Sequence, residues 1–152
     1  MPELLQNKNR EGVVILPSHP RPDSNRLLNA PMLEFDLASV IERIKGEEEW
    51  ISGKHNAITL TKSAGMSIVL IAMHRENEMK IHQEEGALSL YIITGKLRFT
   101  SDTEFAFLHK HSLIAMHENI KYELLAIEES IFLLTSVAPT DSEKKLADNK
   151  KI

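Results

Sequence analysis

His82 and Glu84 stand two apart in the stretch KIHQEEGALSLYIITGKLRF, from Lys80 to Phe99. On a β-strand, side chains two apart share a face, so an imidazole and a carboxylate are expected to look into one space. Such a pair can hold a polar ligand in a barrel mouth or exchange protons with it. The plainer alternative is a hydrogen-bonded core histidine beside a solvated loop glutamate. His74 closes the strand-like MSIVLIAMH and shares a face with Ile68, Leu70 and Ala72. Pointing inward, it would bring a second imidazole close to His82. In HKH, His109 and His111 also lie two apart, with His117 further on. These three read as surface-loop histidines. No Gly-rich phosphate loop, serine nucleophile elbow or helical HExxH is present.

The elements that must position these residues change in character along the chain. Residues 1–35 form an extended arm, punctuated by Pro17, Pro20, Pro22 and Pro31. Proline fixes φ and removes a donor, which rules out a long helix or a central strand there. Val13–Leu16 can add at most a short edge strand. A helix is expected from Leu37 to Lys45, since Leu37, Val40, Ile41 and Ile44 fall on one face between an Asp36 N-cap and a Gly46 C-cap. From Ala57 onward, AITLTK, MSIVLIAMH, LSLYIITG, KLRFT, EFAFLHK, SLIAMH, YELLAIE and SIFLLTSV read as strands. The links between them are too short for helical crossovers, so the sheets are expected to be antiparallel. The domain spans 36–138 with its leading helix, and 139–152 is a polar tail.

A chain of 152 residues suits one compact domain. A formal charge of −4 without a basic stripe gives no reason to expect nucleic acid. The absence of cysteine removes disulfides, thiolate nucleophiles and sulfur-ligated zinc, and fits a reducing cytoplasm. GVVIL is far too short for a membrane span, so no membrane partner is expected and the protein is placed in the cytoplasm. MSIVLIAM is apolar on both faces, which suggests that its outer face meets a second subunit. A homodimer follows as an expectation.

The β-rich region, roughly Glu48 to Val137, resembles the small single-domain cupins, whose RmlC-like fold is a double-stranded β-helix, a kind of jelly-roll barrel. IHQEEGALSLYIITGKLRF resembles the family's first motif, and HKHSLIAMHENIKYELLAIEESIFLLT the second. The lead-in through Trp50 is similar to a mostly uncharacterised subgroup in which a tryptophan segment precedes the barrel. Metal-binding cupins direct three histidines and a glutamate into the barrel. Aligned on Gly95, the first motif's histidine positions fall on His82 and Glu84, and its glutamate position on Leu88. The second motif's histidine position falls on Tyr122. A transition metal needs three or four donors at about 2.0–2.3 Å, so the resemblance implies a scaffold whose metal site is degenerate.

The resulting expectation is an all-β cupin barrel, metal-free and without cofactor. It binds a small molecule in a pocket of His82, Glu84, Leu88, Tyr122 and His74, or acts as a dimeric interaction module without catalysing a reaction. The resemblance also implies two alternatives. One is a metal-dependent dioxygenase or isomerase that holds a divalent transition metal through His82 and Glu84. The other is metal-free acid–base catalysis by His82 and Tyr122. Leu88, Leu90, Ile92, Leu97, Phe99 and Leu124 are expected to point inward, and Lys96 and Arg98 outward.

Overall fold

The computed structural model describes residues 27–139, without 84, 118 and 119 and without the side chain of Gln83. Most of the N-terminal arm, including Val13–Leu16, the candidate Glu84 and nearly all of the tail lie outside the described residues. α1 spans Leu37–Lys45 and α2 spans Glu48–Ile51. The strands are β1 (His55–Lys62), β2 (Met66–Met73), β3 (Glu78–Gln83), β4 (Ala87–Thr94), β5 (Lys96–Ser101), β6 (Phe105–His109), β7 (Leu113–Met116), β8 (Ile120–Ala126) and β9 (Ser130–Val137). Eight of them match the apolar segments read in the sequence. The other is β3, the strand that carries His82.

The strands form two antiparallel sheets, one ordered β1-β2-β9-β4-β7 and the other β3-β8-β5-β6. Strand alternation delivers one face of each sheet to a shared interior. Ile71, Met73, Leu88, Leu90, Ile92, Phe132 and Leu134 come from the first sheet, and Ile81, Leu97, Phe99, Tyr122 and Leu124 from the second. All six residues expected to point inward are in this core. Arg98 is exposed and Lys96 half-buried, as alternation requires. Between β4 and β5 the chain passes from one sheet to the other at Gly95, whose φ is +95°. A Cβ there would collide with the Glu129 carbonyl oxygen and with buried Ser130. Glycine alone fits both the dihedral and the space.

A second core lies on the outside of the five-stranded sheet. Leu70 and Ala72 of β2, Ile58 and Leu60 of β1 and Ile131 of β9 meet Ile44 and Trp50, with Phe35, Leu37, Val40 and Ile41 packed against them. The apolar outer face of β2 is thus covered by α1 and α2 of the same chain. That corrects the ground on which the sequence suggested a second subunit there. α1 begins where expected, with the Asp36 carboxylate accepting from the Ala38 N–H at 3.1 Å. It ends at Gly46, whose N–H donates to the Glu42 and Arg43 carbonyls. Buried Asn56 ties the end of α1 to β1 by donating to the Ile44 carbonyl at 2.9 Å and the Glu47 carboxylate at 2.8 Å. The last residues of the arm are pinned too, since the Leu28 carbonyl accepts from the Lys62 N–H and the Thr61 hydroxyl.

Candidate functional site

β3 and β8 pair in register, with Ile81 opposite Tyr122 and His82 opposite Lys121. Met79 and Ile81 are buried in the inter-sheet core, so alternation turns Lys80 and His82 to the other face. On β8 the same rule sends Tyr122 and Leu124 inward and Lys121 and Glu123 outward. His82 and Tyr122 therefore leave the sheet on opposite sides. The spacing Met79-Lys80-Ile81-His82 already contained this result, because two apolar residues alternate with the histidine.

Of the five residues expected to form one pocket, His82 and Tyr122 border a common cavity from opposite faces of the sheet, while Leu88 and His74 lie away from its wall. Leu88 and Tyr122 share the inter-sheet core. His82 is half-buried on the outer face of β3. His74 stacks on Trp50, with ring centroids 3.5 Å apart at 17°, and its Nε2 lies 2.7 Å from the Trp50 carbonyl oxygen. The face it shares with Leu70 and Ala72 is the one under the helices, so it belongs to the second core and not to a barrel interior. Glu84 lies outside the described residues. Of the loop histidines, His109, His111 and His117 are exposed, and His111 Nδ1 sits 2.7 Å from the Tyr91 hydroxyl.

Tyr122 is the unusual member. It is 2 % exposed, its ring lies 5.2 Å from that of Phe99, and its hydroxyl is buried without a hydrogen-bond partner among the described residues. Burial pushes the phenol well above its ordinary value, so it keeps its proton and acts as a donor. Tyr122 lines a cavity of about 580 Å³ where β3 and β5 end and β8 begins. His82, Thr100, Ser101, Asp102 and Lys121 are also on its wall. Lys80 and Glu123, which border it too, approach to 3.7 Å and are exposed. Sequence reasoning did not find Thr100, Ser101, Asp102 or Lys121. They join His82 only through the β3–β8 and β5–β8 pairings.

No protein-family model matches the chain, and no curated protein matches it. Solved structures do. A conserved Streptococcus pyogenes protein of unknown function is 21% identical at a TM-score of 0.59, over 76% of this chain and 96% of that one. A cupin superfamily protein from Desulfitobacterium hafniense is 17% identical at a TM-score of 0.59, over 75% of this chain and 99% of that one. The fold is that of the RmlC-like cupins. A salicylate 1,2-dioxygenase from Pseudoaminobacter salicylatoxidans matches at a TM-score of 0.63 and 15% identity, over 86% of this chain but 42% of the enzyme.

The cupin positions that carry a metal in relatives with one can be tested on these residues. Leu88 offers no donor, Tyr122 offers a protonated phenol inside the core, and His82 looks to the opposite face. Among the described residues no three histidine, aspartate or glutamate side chains converge as a metal site requires. The described side chains therefore do not fit a cupin metal centre. No helix among them is long and apolar enough to cross a membrane.

Proposed function

We propose that this cupin is a metal-free binding protein that takes a small, oxygen-bearing molecule at the end of the β3-β8-β5 sheet and does not catalyse its conversion. The observation that carries this reading is the cavity of about 580 Å³ where β3 and β5 end and β8 begins, walled by the outward side chains of His82, Lys121 and Thr100. Lys121 contributes a positive charge beside this cavity, and Thr100 contributes a hydroxyl. This combination suits a hydroxylated or carboxylated molecule.

No observation favours catalysis by His82 and Tyr122, which an acid–base pair would need on one side of a substrate. A metal-dependent oxygenase or isomerase asks for a donor set that the described residues do not bring together.

Binding is tested by thermal shift and calorimetry with a panel of small sugar acids and hydroxy acids. At least one is expected to raise Tm, and Lys121→Ala should weaken its binding about tenfold, the worth of one hydrogen bond. Metal content is measured on the same protein after incubation with Fe(II), Mn(II), Ni(II) and Zn(II). Stoichiometric metal that disappears in His82→Ala would overturn the reading.

A further inference from the structure

β6 is the outer strand of the four-stranded sheet, and apart from its shortness it lacks, among the described residues, the features that normally blunt such an edge. Phe105–His109 contains no proline and no lysine, and its pairing with β5 runs without a bulge. Phe105 is 68% exposed and Phe107 52% exposed, with their rings edge to face at 6.1 Å. Two aromatic rings stand in the open on a short strand.

The backbone shows which residues have open edge groups. The Ser101 N–H donates to the Glu104 carbonyl at 2.7 Å, closing the β5–β6 hairpin. In an antiparallel ladder, alternate residues direct both backbone groups to the same side. Glu104, Ala106 and Leu108 therefore bond toward β5, while Phe105, Phe107 and His109 direct N–H and C=O to the free edge. His109 confirms the phase, since its N–H donates to the Ser112 hydroxyl at 3.0 Å and its carbonyl accepts from the Ser112 N–H at 2.8 Å. Among the described residues, Phe105 and Phe107 keep both groups on that edge without a partner.

We infer that this edge pairs with the same edge of a second copy, antiparallel, with Phe105 opposite Phe107 of the partner subunit and Ala106 on the two-fold axis. This register joins the two four-stranded sheets into one and uses every open backbone group on β6. It also sets each exposed ring against a ring of the other copy on one face. A register centred on Phe107 would oppose Phe105 to His109 of the partner subunit, whose backbone Ser112 already occupies. Registers displaced by one residue put exposed side chains on the buried face. Charge agrees with the register centred on Ala106: the axis carries exposed Asp102, in the turn before β6, toward exposed Lys110 of the partner subunit, just after its β6, once on each side. An unrelated strand gives no reason for that match, whereas a second copy supplies it by symmetry.

Sedimentation velocity across a concentration series tests the dimer, and a cysteine tests the register. At a non-hydrogen-bonded antiparallel pair the Cα atoms lie about 4.5 Å apart, within disulfide range. The chain has no cysteine, so Ala106→Cys can form a disulfide only with a second copy. The wild-type protein should sediment as a dimer, and Ala106→Cys should convert to covalent dimer on mild oxidation much faster than a Leu113→Cys control on the neighbouring exposed surface. Phe107→Lys, at an exposed position, should give a folded monomer by circular dichroism, and it carries the test should Ala106→Cys misfold. A monomer at every concentration, a dimer that survives Phe107→Lys, or equal cross-linking at Leu113→Cys would overturn the inference. A monomer would leave the edge to a peptide or to the chain's own N-terminal arm.

Discussion

The outer face of β1, β2 and β9 is apolar and covered by α1 and α2, whereas the outer face of β3, β8 and β5 is charged and uncovered among the described residues. Both sheets send alternate residues into one interior, so the difference lies in what the remaining residues are. Leu70 and Ala72 require a lid, and the chain supplies one from Leu37 to Ile51. Lys80, Lys121 and Glu123 require only water, and they leave room for a cavity. A sheet face becomes available for binding where its polar alternation removes the need for cover.

The largest effects should come from stripping the covered side. Trp50→Ala removes the ring that His74 stacks on and that closes the second core; it should cost about 3–5 kcal/mol, measured by urea unfolding. A loss near zero would mean that the helices are not part of the cooperative unit. Next is Gly95→Ala, at the passage between the sheets. A side chain held at φ +95° costs about 1–3 kcal/mol, and the collision with Glu129 adds to it. Equilibrium unfolding would detect that loss, and an unchanged midpoint would mean that the turn relaxes freely.

On the other sheet the effects should be small and of different sign. Tyr122→Phe deletes an unpartnered buried hydroxyl, so the protein should gain up to about 1 kcal/mol. Destabilisation would mean that the hydroxyl has a partner in the folded protein. Glu123→Ala, at the exposed pair with Lys80, should stay within about 0.5 kcal/mol.

The smallest effect is a pH slope on the covered sheet. Burial lowers the pKa of half-buried His55 on β1, and nearby positive charge adds to the shift. Its folded pKa lies below the unfolded value near 6.5, so the contribution is fully present above that value. It is lost as pH falls from there through the folded pKa. Urea midpoints measured from about pH 8 to pH 5 should show this fall in the wild type and less of it in His55→Asn.

Much of this was legible beforehand. The helix is bounded by Asp36 and Gly46 because capping chemistry is local. The inward set of Leu88, Leu90, Ile92, Leu97, Phe99 and Leu124 follows from alternation alone. The direction of His82 was legible too, from Met79 and Ile81 on either side of Lys80, but the family motif drew attention to the histidine instead of its neighbours. The apolar faces of β2 announced that something must cover them, without saying whether it was a helix of the same chain or a second subunit.

The sequence by itself determined every described strand but β3, the leading helix, the cupin-like order of elements and the absence of a metal-ligating side chain at Leu88, because each rests on residue type and short-range spacing. Only the tertiary structure decided that His74 lies under the helices against Trp50, that His82 stands beside Lys121, and that Phe105 and Phe107 stand on an open edge. Those facts depend on which strands pair and which sheet ends outermost. Such pairings join residues tens of positions apart, and no local pattern encodes them.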